Sequence, residues 1–204
     1  MEGELVTHRM NGREIKIITS RKILVRKWIL LLCLFGSFLI SCSQEETSLL
    51  HRYASQGNLD GIKLLLFDGV NINAKNKQRL TALHLAAKAG HTDIVNTLIE
   101  NGADYTAENK YGDTPLHFAA ENGHVTVAEI LISKGAKISE DNVLGNTPLH
   151  RAVNGGHKSM VEMLVKNRAD INAKSDFTDS PLTVAIRTGN NEIIEFLISK
   201  GAIE

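Results

Sequence analysis

The sequence predicts an all-α solenoid of five stacked helix-turn-helix repeats, each 33 residues long. Two observations predict it. A head segment recurs without slippage as Ser48-Leu49-Leu50-His51, Thr81-Ala82-Leu83-His84, Thr114-Pro115-Leu116-His117, Thr147-Pro148-Leu149-His150 and Ser180-Pro181-Leu182-Thr183. Glycines follow in the same register at Gly57, Gly90, Gly123, Gly156 and Gly189. After them come the aliphatic pairs Leu65-Leu66, Leu98-Ile99, Leu131-Ile132, Leu164-Val165 and Leu197-Ile198, then turn glycines at Gly69, Gly102, Gly135 and Gly201. The repeats therefore run over about 48–80, 81–113, 114–146, 147–179 and 180–204.

Within each repeat the residue types state the elements. Thr or Ser at the head can cap the first helix through its hydroxyl, and Pro one place on sits where a missing N–H costs nothing. Leu and small residues such as Leu116, Ala119 and Ala120 let successive first helices approach closely. The middle glycine supplies the turn between antiparallel helices. The apolar spacing of Ile94, Val95, Leu98 and Ile99 turns one face of the second helix inward. The last glycine can take the left-handed conformation that ends a helix.

These residues resemble the ankyrin repeat, and the resemblance covers about Ser48 to Glu204. It implies that the dozen residues between repeats, such as Ala103 to Asp113, form β-hairpin-like fingers. Some positions depart from the pattern. Arg168 stands where other repeats have Gly, and the turn position of Gly112 and Gly145 is Arg79 before the second repeat and Thr178 before the fifth. Those turns are expected to be strained or differently shaped. The first repeat has Leu49 in place of Pro and the fifth has Thr183 in place of His, as terminal units often differ. With Glu204 directly after the Gly201-Ala202 turn, no separate C-terminal cap is expected.

The composition, 43% hydrophobic and 23% charged, is that of a soluble globular protein. Basic and acidic residues number 23 each, but the segment before Cys42 holds seven basic and three acidic ones, leaving 16 against 20 from Cys42 on. A mildly acidic body without a basic stripe argues against nucleic acid, which is bound by neutralising phosphates.

The apolar stretch Trp28 to Ile40 follows Arg21, Lys22, Arg26 and Lys27 and stops at a polar run, the layout of a secretory signal. As a helix it would span about 20 Å at 1.5 Å per residue, short of the roughly 30 Å of hydrocarbon in a bilayer. Leu39-Ile40-Ser41-Cys42 resembles the lipobox of bacterial lipoproteins. That resemblance implies a signal over 1–41, cleavage before Cys42, lipid on its thiol and a short tether over 42–47. Two or more acyl chains give stable anchoring where one is marginal. The chain is then expected to be exported and lipid-anchored, at the outer membrane or periplasmic face; Ser43 resembles the sorting pattern that favours the outer membrane in some bacteria. The alternative is an uncleaved signal anchor in which Cys42 is incidental. Cys33, the other cysteine, would leave with the signal, so the body is expected to carry no disulfide. Met10 is a second possible start.

Eight histidines invite a metal hypothesis. Seven fall in two series, His51, His84, His117 and His150 in the head, and His91, His124 and His157 after the middle glycine. Equivalent positions on helices stacked roughly 8–10 Å apart do not converge on an ion at about 2 Å. Hydrogen bonds tying loops to the next repeat are expected instead, and no metal or cofactor. No phosphate loop, no G-x-S-x-G elbow and no body cysteine point to catalysis, so an enzyme is not expected.

A binding surface is better supported. The resemblance implies contact through finger tips and the concave face of the first helices. The tips read Gln78, Tyr111, Leu144 and Phe177 at 33-residue spacing, and the adjacent helix positions read Lys88, Glu121, Asn154 and Arg187. Large apolar residues in one exposed row, rimmed by charge, are the pattern of a protein contact. The alternative is that these side chains fold back on neighbouring fingers. The expected function is a monomeric, membrane-anchored module binding one protein partner, either a toxin or enzyme held inactive or a host protein. The other readings are a structural envelope spacer and, third, an enzyme.

Overall fold

In the computed structural model, residues 5–10, 13–18 and 39–203 are described, with side chains from Glu45 on. Of the signal expected over 1–41, the basic cluster, most of the apolar stretch and Cys33 lie outside the described residues. The chain divides into two compact units, Met1–Glu45 and Glu46–Glu204.

In the first unit, strands β1 (Leu5–Met10) and β2 (Arg13–Ile18) pair antiparallel with Leu5 opposite Ile18 and Met10 opposite Arg13. The all-α class therefore holds from residue 39 on, and a two-stranded hairpin precedes it.

The second unit is built from five helix pairs. They are α1 (Leu39–Gln56) with α2 (Leu59–Phe67), α3 (Ala82–Ala89) with α4 (Thr92–Glu100), α5 (Pro115–Glu121) with α6 (Val125–Ser133), α7 (Pro148–Asn154) with α8 (Lys158–Lys166), and α9 (Pro181–Thr188) with α10 (Asn191–Ser199). The first helices stack on one another from α3 through α5 and α7 to α9, and the second helices stack from α2 to α10. The core lies between the rows. Leu83, Leu116, Leu149 and Leu182 anchor the first row, with Ala86, Ala87, Ala119, Ala120, Ala152 and Ala185 beside them, all buried. Ile94, Val95 and Leu98 represent the second row, buried as their spacing predicts, while Ile99 is half-buried. Each fully buried aliphatic side chain contributes roughly 1.5–3 kcal/mol.

One expected cap needs correction. Ser48 does not cap a helix: it lies inside α1, which begins at Leu39, so the short tether expected over 42–47 is helical. Nothing between Leu39 and Gln56 breaks a helix, since the segment contains neither Gly nor Pro. At Arg79 and Thr178 the backbone keeps the left-handed shape that glycine gives elsewhere, with φ of 60° and 61° against 76° at Gly112 and 70° at Gly145, and Arg168 is left-handed too, at 68° against 78° at Gly69 and 90° at Gly102. The turns are strained, then, but not reshaped: the repeat geometry forces the left-handed conformation on residues with a Cβ.

The fingers contain no strand. Each is a tight turn closed by two backbone hydrogen bonds: the N–H of Asn76, Asn109, Asn142 and Ser175 donates to the carbonyl of Leu80, Asp113, Asn146 and Asp179 at 3.0–3.1 Å, and the carbonyl of the same four residues accepts from the N–H of Arg79, Gly112, Gly145 and Thr178 at 2.8–3.3 Å. Asn76, Asn109 and Asn142 also accept backbone N–H groups of their own turns on Oδ1, the local bond that makes Asn a turn residue. Successive fingers are stitched backbone to backbone by one bond each: Lys110 N–H to the Gln78 carbonyl, Val143 to Tyr111 and Asp176 to Leu144, at 3.0–3.1 Å.

A candidate interaction groove

The histidine series explain how the fingers are held. In α3, α5 and α7 the Nδ1 atoms of His84, His117 and His150 accept the backbone N–H of Thr81, Thr114 and Thr147 at 3.1 Å. Nδ1 being an acceptor, the proton resides on Nε2, which donates to the carbonyls of Asp113, Asn146 and Asp179 at 3.0–3.1 Å. Each ring thus bolts the start of its helix to the base of the next finger. The threonine hydroxyls meet the same Nδ1 atoms at 2.8–2.9 Å and complete a capping box with the histidine N–H at the helix start, the role expected of Thr at the head of each repeat. Burial holds the His84 imidazolium well below its ordinary range, at about 4, and lowers His117 and His150 in the same direction.

The second series works differently. His91, His124 and His157 donate through Nε2–H to the carbonyls of Ser55, Lys88 and Glu121, one repeat back, at 2.9–3.2 Å. Their rings lie directly on Gly57, Gly90 and Gly123, where an added Cβ would fall 2.5–2.9 Å from a ring atom. Those glycines are required by close approach as well as by φ. No three metal-ligating side chains stand together among the described residues.

Among the described residues this scaffold leaves an open groove of about 550 Å³ between the finger tips and the first helices. Gln78, Tyr111 and Leu144 form its finger wall and Lys88 stands on α3, four of the residues expected from the 33-residue series. Tyr111 and Leu144 are 51% and 43% exposed and Phe177 is 71% exposed. The ammonium of Lys110 sits 4.7 Å from the Tyr111 ring centre, a favourable cation–π distance. Phe177, Asn154 and Arg187 lie outside this groove, further along the solenoid; Arg187 pairs with Asp179.

Sequence reasoning missed the floor. Leu85 on α3 and Phe118 on α5 are half-exposed there, and Arg151 on α7 closes one end. All three follow the head histidine directly, so the series Arg52, Leu85, Phe118, Arg151 and Val184 carried a usable signal: one slot at strict period holding unlike residues. Arg151 Nη2 meets Asp113 Oδ1 at 2.8 Å and Nη1 meets Glu121 at 3.5 Å, which is where the expected Glu121 is engaged. Asn142 donates to the same Asp113 oxygen at 2.7 Å. The Arg151 Nε is buried with no hydrogen-bond partner, an uncompensated polar atom at the groove's edge.

Fold and groove together define a helical repeat solenoid with a preformed concave surface. The chain belongs to the ankyrin-repeat family: a family model for ankyrin repeats in three copies matches residues 50–142 and 135–203. Ankyrin repeats are in general protein–protein interaction modules, and the fold is typically non-enzymatic. No curated protein matches the chain.

Proposed function

We propose that this protein is a membrane-tethered ankyrin scaffold that holds one protein partner in the groove lined by Tyr111, Leu144, Leu85 and Phe118, with lipid on Cys42 as its anchor. The observation that carries the first half is an apolar floor and wall left open to water and rimmed by Lys88, Arg151 and Asp113. Apolar surface of this kind is stabilised by covering it, and aromatic residues at the centre of a charged rim are the usual anchors of a contact. The anchor rests on the basic cluster, apolar stretch and Leu39-Ile40-Ser41-Cys42. Among the described residues no helix is long and apolar enough to cross a membrane. The scaffold then works in the bacterial envelope.

The test is a crosslinking pull-down from cells expressing the tagged full chain, wild type against a Tyr111→Ser/Leu144→Ser/Phe177→Ser variant. A partner captured by wild type alone supports the groove. Equal capture moves the contact elsewhere, and no capture with either supports a structural spacer. Incorporation of labelled fatty acid should vanish in Cys42→Ala; unchanged labelling refutes the anchor.

A further inference from the structure

The finger edge around the groove is electrically polarised along the solenoid. Its first finger, residues 71–80, carries Lys75, Lys77 and Arg79, all exposed, with Lys88 on α3 and Lys110 on the next tip beside them. Lys75 donates to the Glu108 carbonyl at 3.2 Å and Lys110 lies over Tyr111. Among the described residues, Lys77, Arg79 and Lys88 meet no carboxylate. The acids of this half do little to cancel them. Asp113 is buried against Arg151 and Asn142, which leaves Asp104, held by the N–H and hydroxyl of Thr106 at 2.9 and 2.7 Å, and Glu108 to set against Lys75, Lys77, Arg79, Lys88 and Lys110. The third and fourth fingers lean the other way: Glu140 meets Lys137 and Asp179 meets Arg187, and exposed Asp141 and Asp176 stand with one exposed cation, Lys174.

We propose that the groove takes an extended acidic segment of a partner protein. One aromatic or branched aliphatic side chain seats on Leu85 and Phe118 between Tyr111 and Leu144, and carboxylates lie toward Lys77, Arg79 and Lys88. This rests on the groove being the partner site. Charge complementarity chooses this occupant over a basic or neutral one, and it also sets the direction of the segment, acidic end on the first finger. At roughly 10 Å per repeat and about 3.3 Å per extended residue, fingers one to three match a segment of about six residues. A single exposed ion pair is weak; several cations of one sign along one rim act together on selection and on the rate of encounter.

The test is a display library of random twelve-residue peptides sorted on the immobilised full chain. The expected result is enrichment of net-negative peptides with one aromatic or aliphatic residue. Their binding should weaken as salt rises, fall about tenfold for Lys77→Glu/Lys88→Glu and be lost for Tyr111→Ser/Leu144→Ser. All four positions are exposed, and circular dichroism verifies that the variants fold. Neutral or basic peptides that still need Tyr111 and Leu144 overturn the charge assignment and leave the groove reading intact. Peptides indifferent to both variants overturn both, and a library without any enrichment overturns the proposal.

Discussion

The head histidines and the groove follow the same 33-residue period to opposite ends. His84, His117 and His150 make the same bonds to the same backbone positions, repeat after repeat, and are almost wholly buried. The slot next to them holds Leu85, Phe118 and Arg151, and the tips hold Gln78, Tyr111, Leu144 and Phe177. Where a position carries the stacking, the period fixes the residue; where it faces the groove, the period fixes only the place. The site of a solenoid is thus found where spacing is strict and identity is not.

The largest test of that contrast is truncation. Leu116→Ala, at a fully buried position of the stacking row, should cost about 2–5 kcal/mol in denaturant unfolding. Leu144→Ala, at an exposed tip of the same length and chemistry, should cost within about 0.5 kcal/mol. Equal costs would mean that the tips carry stability and the two regions are not distinct.

Acid should then attack the row and not the groove. The folded chain holds His84 at about 4 against an ordinary 6.5, so between those values the unfolded chain binds more protons. Stability is full above about pH 6.5 and is lost as the pH falls toward 4, by about 3 kcal/mol for His84 alone. His117 and His150, lowered by the same burial, add to the loss. Unfolding at a series of pH values should show this slope, flattened in His84→Asn.

Two glycines sharpen it further. Gly90→Ala must fit a Cβ 2.5 Å from the His124 ring at φ 75°, whereas Gly189→Ala has φ 69° but nothing within 4 Å. Both should lose about 1 kcal/mol or more to the left-handed backbone, and Gly90→Ala more, by an excess that disappears in a His124→Ala background. The smallest expected effect is a gain. Arg79→Gly and Thr178→Gly relieve left-handed strain and should each stabilise by up to about 1 kcal/mol in thermal unfolding.

The five helix pairs were legible because Thr, Pro and Gly act locally, at caps and turns. The exposed tips were legible because a residue at the apex of a tight turn has little to fold against. The floor was not. Leu85 and Phe118 read as ordinary core residues on a helix, and their half-exposure depends on how the fingers stand away from the first helices. Nor was the Arg151–Asp113 pair, 38 residues apart in sequence, or the start of α1, where Ser48 looks like every other cap but lies in an unbroken helix.

The most direct measurement places a photo-reactive amino acid at Tyr111 in one sample and at Glu129, exposed on α6, in another, and irradiates cells carrying each full chain. The account predicts one discrete crosslinked product from position 111 and none from 129. The same product from both positions, or from 129 alone, would contradict it.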